Sequence, residues 1–313
     1  MTEIERIVEK GIVPIDFFVP ETRCDFYVDE KRKHIWAIEL DLLLELDRVC
    51  KKHGLTYYIA YGSLLGAVRH HGFIPWDDDM DVLMLREDYD SLWNYASEFR
   101  DPYFFQTPYT DQGYLYAHAR LRNSRTTMIQ RPFCFNEYNM GVFLDILPLD
   151  YFVPGDEGSF IFGQMSSLLV DLSTSMKVSN LFPNERDETR IKNLSPMNPL
   201  DRFEKVHCLA KSFADVNTEF LFPSAALTYG IERSIFQKHD FEDVEYLEFE
   251  GFELPVPSGY KHFLSYVYGD YMEFPPVEKR GIWHGDVWID AEKSYKDIKK
   301  TQAYINWSHN KIY

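Results

Sequence analysis

The chain has 313 residues, 45% of them hydrophobic and 16% aromatic, and carries a formal net charge of −17. That is ample for a sizeable core, in one large domain or two intimately packed ones. The acidic balance argues against a duplex nucleic-acid binder, which needs clustered lysine and arginine. A nucleotide-sized substrate stays open, because a bound cation reverses the local sign of an acidic site.

Cys24, Cys50, Cys134 and Cys208 are far apart and form no C-x-x-C pair, so they read as reduced thiols of a cytoplasmic protein. The N-terminus lacks a basic region followed by an apolar core. No apolar run approaches the roughly 20 residues of a membrane span. Ser159 to Val170 comes closest and is interrupted by Gly163 and Gln164. The reading is a chain with no transmembrane segment and at most peripheral contact with the inner face of a membrane.

In chain order, 31–53 reads as an amphipathic helix, with Ile35, Ile38, Leu42, Leu46 and Val49 at helical spacing and Gly54 as a stop. Leu55 to Tyr61 is a strand candidate, Leu64 to Arg69 a short helix opened by Gly62-Ser63, and Asp79 to Leu85 a second strand. Helical spacing follows over 87–99, then strands and turns over 103–130. Gly141 to Pro148 is an apolar strand containing a single acid. After Pro154-Gly155 the character changes, with helices expected at 159–176 and 201–220 and a polar, exposed connection at 180–200. A hairpin around Glu250-Gly251 and a helix over 261–268 complete the reading. The expected architecture is α/β (α+β): a mixed-sheet catalytic core over 1–153, and a helical, partly β region over 154–313 that completes the substrate site.

The chemistry concentrates in Asp77-Asp78-Asp79-Met80-Asp81. Strand side chains alternate faces, so Asp79 and Asp81 are expected on one side, roughly 6.6 Å apart. Held together in apolar surroundings they repel and resist ionisation. A hard divalent cation, Mg²⁺ or Mn²⁺, resolves that conflict. A solvated acidic turn is the bland alternative, but it would not call for D-x-D inside an apolar strand. Asp77 joins the set if the strand begins early; Asp78 faces away and is expected in solvent or at a turn. Gly62 and Ser63, opening a helix, offer backbone N–H groups and a hydroxyl to a phosphate, and Arg69 at that helix's end is within reach of one. Asp145 in Val-Phe-Leu-Asp-Ile-Leu is costly to bury unless paired or metal-bound, so it is read as the third carboxylate. Asp150, beyond Pro148, is read as a turn residue.

The run from Tyr61 to Asp81, YGSLLGAVRHHGFIPWDDDMD, resembles the signature of the LicD family, which includes bacterial phosphocholine transferases and is related to fukutin-type transferases. Arg120 to Thr127, Gly141 to Asp150, Pro255 to Tyr260 and Tyr268 to Tyr271 resemble later blocks in the same order. The resemblance implies a nucleotidyltransferase-type fold, with Gly62, Ser63, Asp79, Asp81 and Asp145 in the phosphate-binding and metal-binding roles. It also implies transfer of phosphocholine from CDP-choline to a hydroxyl of a cell-surface glycan, which includes lipid-linked acceptors.

On that reading Asp145 completes the metal site and is also a candidate proton acceptor. Arg120 and Arg122, alternating on one strand, are candidates for the diphosphate. Trp76 and Trp283 are candidates for a choline-binding aromatic cage, and His284 for the acceptor side. Rival readings are transfer of another phospho-alcohol (ribitol, glycerol or ethanolamine phosphate) or of a nucleotidyl group, metal-dependent phosphohydrolysis, and a non-catalytic glycan- or nucleotide-binding module.

Overall fold

The computed structural model describes residues 1–178, 198–225, 233–281 and 286–309. The chain enters through helix α1 (Glu3–Glu9), started by a capping box between Thr2 and Glu5, and a small hairpin of β1 (Glu21–Arg23) and β2 (Phe26–Val28). Helix α2 (Glu30–His53) begins at Asp29, whose side chain accepts from the Arg32 N–H, and stops at Gly54 in the left-handed region (φ 66°). Its apolar stripe, Ile35, Ile38, Leu42, Leu46 and Val49, is buried as the periodicity requires. Burial of each such side chain contributes about 1.5–3 kcal/mol.

Then come β3 (Tyr58–Ile59), α3 (Tyr61–His70), β4 (Asp81–Leu85) and α4 (Arg86–Leu92), which runs on into a 3₁₀ stretch, Trp93–Glu98. Strands β5 (Tyr103–Gln106), β6 (Ala119–Asn123) and β7 (Thr127–Gln130) lead to the ten-residue strand β8 (Phe143–Phe152). Helices α5 (Asp156–Val178) and α6 (Pro199–Ala210) follow, then β9 (Phe220–Phe222) and β10 (Phe236–Gln237). The hairpin of β11 (Val244–Phe249) and β12 (Phe252–Pro257) turns through Glu250 and Gly251, both at positive φ, as a tight two-residue hairpin demands. Helix α7 (Tyr260–Tyr268), β13 (Val287–Asp290), and helices α8 (Tyr295–Ile298) and α9 (Gln302–His309) end the described chain.

The sheet is mixed and seven-stranded, in the order β10-β9-β8-β4-β3, with β6 also pairing β8 and β5 pairing β6. Strand β4 runs parallel to β8, while β3, β6 and β9 pair with their neighbours antiparallel. The largest apolar core runs from Ile4 to Val267 and joins α2, the sheet, the β11–β12 hairpin and α7. No helix is long and apolar enough to cross a membrane among the described residues.

Several boundaries differ from the sequence reading. The strand expected over 55–61 is only Tyr58–Ile59, because Tyr61 already opens α3 at positive φ (45°). The strand expected from Asp79 begins at Asp81. The helix expected over 201–220 ends at Ala210 and gives way to a strand at Phe220. Strand β8 continues through Pro148, which stands opposite Met84 in the ladder, so Asp150 is a strand residue rather than a turn residue. Of the 180–200 connection, all but the end from residue 198 lies outside the described residues.

Candidate functional site

The site is built where β4 and β8 lie side by side. In their parallel register Asp81 stands opposite Asp145, and the Asp145 N–H donates to the Met80 carbonyl at 3.0 Å. Carboxylate oxygens of Asp79, Asp81 and Asp145 all lie within 4.8 Å of one another. Asp79 precedes the strand, so strand alternation does not hold it beside Asp81; the turn before β4 delivers it.

Helix α3 supports this turn from two positions. The Ser63 hydroxyl accepts the Asp81 backbone N–H at 2.9 Å, which fixes the first residue of β4 and leaves the hydroxyl proton for a second partner. Gly62 faces Asp77: a Cβ there would sit 2.5 Å from Asp77 Oδ2, so any larger residue would push that carboxylate from its position. Helix α2 holds the same turn from the other side, with Arg32 and the Trp36 indole both donating to the Asp77 carbonyl.

The electrostatics divide the acids. Burial, then Asp79, Asp145 and Asp77, push the Asp81 carboxyl well above its ordinary range. Burial acts in the same direction on Asp145 but is outweighed by the Arg120 guanidinium and the His118 ring, which hold that carboxyl below its range. Arg120 Nη2 donates to Asp145 Oδ2 at 3.2 Å, and its Nε contacts Oδ1; His118 Nε2 meets Oδ1 at 3.0 Å. Three hard oxygen donors, one of them kept charged and another disfavouring charge until a cation arrives, suit Mg²⁺ or Mn²⁺.

The other sequence candidates divide likewise. Arg120 and Arg122 share a face of β6, as alternation requires, with Phe143 beneath both guanidinium groups. Arg120 reaches Asp145, whereas Arg122 donates to the Gln106 side chain and the Gly141 carbonyl. Arg69 is turned to the carbonyls of Tyr271 and Glu273 and so fastens that segment. Trp76 is buried, edge-on to Phe26, His70 and Phe274, with Arg280 4.8 Å from its ring centre. Trp283 and His284 lie outside the described residues. Asp78, expected in solvent or at a helix cap or turn, lies in the turn before β4 but is only 4% exposed. Asp150 holds Arg86 in a buried two-pronged ion pair, both contacts at 2.6 Å.

Two residues at this site escape the motif reading. His118 stands two residues before Arg120 and grips the same carboxylate. Glu39, on α2, is fully buried, and neither of its oxygens has a hydrogen-bond partner among the described residues. Burial, then Asp79, Asp78 and Asp77, push its carboxyl well above the usual range. Its signal was present: Glu39 falls four residues after Ile35 and three before Leu42, inside the apolar stripe.

Residues 54–159 match the family model described as LicD/FKTN/FKRP, nucleotidyltransferase domain. The lipopolysaccharide cholinephosphotransferase LicD of Haemophilus influenzae is 28% identical over 273 residues, covering 78% of this chain and 92% of that protein. Residues 54–159 thus carry a LicD-type nucleotidyltransferase domain, and most of the chain is similar to that cholinephosphotransferase. Uncharacterised proteins of Rickettsia prowazekii and Rickettsia typhi are each 45% identical over 47 residues, 15% of this chain and 18% and 15% of their own lengths. The matched segment contains α3, β4, β6 and the whole of β8, and with them the carboxylate cluster; Glu39 on α2 lies before it.

Proposed function

We propose that this chain transfers phosphocholine from CDP-choline to a hydroxyl of a cell-surface glycan, such as a lipopolysaccharide or teichoic-acid precursor. Asp79, Asp81 and Asp145 would hold Mg²⁺ or Mn²⁺. The observation that carries this reading is the convergence of those three carboxylates beside Ser63 and Arg120. The relative's name supports choline as the cargo.

The acceptor oxygen attacks the choline-bearing phosphorus, the bond to the CMP oxygen breaks so that CMP leaves with that electron pair, and the hydroxyl proton passes to solvent water. When bound, the cation supplies charge neutralisation at the diphosphate and the leaving oxygen. Asp145, held charged by Arg120 and His118, suits a ligand better than a base, since a carboxyl below its usual range is a weak proton acceptor. Arg120, fixed between the rings of Tyr116 and Phe143, presents its charge without rotamer freedom to lose. Ser63 and the first N–H groups of α3 face the turn that bears the acids and are suited to a phosphate oxygen.

The test is incubation with CDP-choline, CDP-ethanolamine or CDP-ribitol, Mg²⁺ and a candidate glycan, followed by mass spectrometry of the glycan and measurement of CMP. The expected result is a phosphocholine adduct that needs the divalent ion. Transfer from another donor in preference would reassign the cargo, and release of phosphocholine to water at a comparable rate would make the enzyme a hydrolase.

A further inference from the structure

We infer that His239, Asp240 and His262 form a second metal site, for a divalent transition ion of the zinc class, separate from the carboxylate cluster. The three come from the turn Lys238–Phe241 and the first turn of α7. One ligand atom from each lies within 4.8 Å of the other two. His262 Nδ1 is 2.6 Å from Asp240 Oδ2, and His239 Nε2 is 3.4 Å from Asp240 Oδ1. Two imidazoles therefore converge on one carboxylate.

The surroundings suit a built site. The Asp240 side chain is 4% exposed, while those of His239 and His262 are 61% and 56% exposed, so the anchor is rigid and the entrance open. Gly259 makes the close approach possible: a Cβ there would lie 2.3 Å from Asp240 Oδ1, and its N–H donates to the Asp240 carbonyl at 2.9 Å. A cavity of about 120 Å³ adjoins the cluster, lined by Gln237, Asp240 and His262 on its polar side. It has room for a water to complete four-coordination.

The donor chemistry decides which ion binds. Two imidazole nitrogens with one carboxylate oxygen favour zinc and its neighbours in the first transition row, whereas Mg²⁺ and Ca²⁺ prefer oxygen alone. The same protein thus offers an all-oxygen cluster and a nitrogen-rich one that select different cations. An ion at the second would tie the 238–241 turn to α7. Phe263 of α7 packs against Tyr61, the residue that opens α3, with ring centres 5.6 Å apart. Zinc binding would therefore brace the helix that supports the phosphotransfer site.

Zinc titration of the full chain against a chromophoric chelator, with excess Mg²⁺ present, tests this. The expected result is one zinc bound per chain and a raised unfolding temperature. H239A and H262A, both surface changes, should each weaken binding at least about 10-fold, since even outer-shell partners of a metal contribute that much. C208S, removing the exposed thiol, and D79A, altering the carboxylate cluster, should leave binding unchanged. Wild-type protein that takes up no zinc, or an H239A/H262A double variant that binds it as tightly as wild type, would overturn the assignment.

Discussion

Glu39→Gln isolates the electrostatic strain behind the acidic turn. Glu39 is fully buried with both oxygens unpartnered among the described residues. Its carboxyl is pushed up first by burial and then by Asp79, Asp78 and Asp77, with Arg32 opposing. Above the ordinary value of 4.5 the unfolded chain releases this proton while the folded chain keeps it. The stability Glu39 contributes is therefore complete below that pH and is lost as pH rises toward the folded value. The slope is about 1.4 kcal/mol per pH unit. Glutamine keeps the shape and cannot ionise, so the slope disappears. Urea unfolding of both proteins in chelator, at steps of about one pH unit upward from 4.5, should show the variant gaining on wild type, by at most about 1.4 kcal/mol per step, until the folded carboxyl ionises. The buried amide adds an offset that does not vary with pH, so the slope is the quantity to read. A difference that stays constant across the series would refute the reasoning.

Four further outcomes are expected. D79A and D81A should each abolish phosphotransfer while circular dichroism and urea unfolding report an intact fold; wild-type turnover in either would remove the metal assignment. R86M leaves Asp150 buried without its bidentate partner and should cost about 3–5 kcal/mol in urea unfolding, much of it recovered in R86M/D150L. G62A drives a Cβ against Asp77 Oδ2 and should lower kcat/KM on the order of a hundredfold through displacement of the acidic turn, with little change in the unfolding midpoint. Burial, then Arg86, depress His207 well below 6.5. Below that pH the unfolded chain takes up a proton that the folded chain refuses, so stability should fall with acidification, and fall less steeply in H207Q.

Much of the architecture was legible because apolar periodicity and turn chemistry agree locally. The α2 stripe, its glycine stop and the Glu250-Gly251 hairpin each follow from neighbours in sequence. What escaped depends on contacts between distant segments. The structure brings Asp79 to Asp81, but through a turn held by Arg32, Trp36 and Gly62 rather than through strand alternation. Asp78 is buried because that turn folds inward toward α2. The Ser63 hydroxyl was legible as a candidate hydrogen-bond donor to a phosphate, yet its acceptance of the Asp81 N–H spans 18 residues and could not be read from the motif. Pro148 suggested an end to β8, but a parallel ladder tolerates it opposite Met84, and Asp150 follows within the strand. Glu39 was visible as an acid in an apolar stripe; what it faces was not.

Strand β8 carries Asp145 near one end and Asp150 near the other. Five residues apart, they point to opposite faces of the sheet, one toward the Asp79–Asp81 carboxylates and one toward the Arg86 ion pair. The strand therefore acts as a parity lock. Inserting one residue between them would turn both acids to the same face, and either Arg120 and His118 or Arg86 would lose their carboxylate. Loss of catalysis and loss of stability would be two readouts of one slip, which leaves the spacing from Asp145 to Asp150 far less free to change than the apolar residues that fill it.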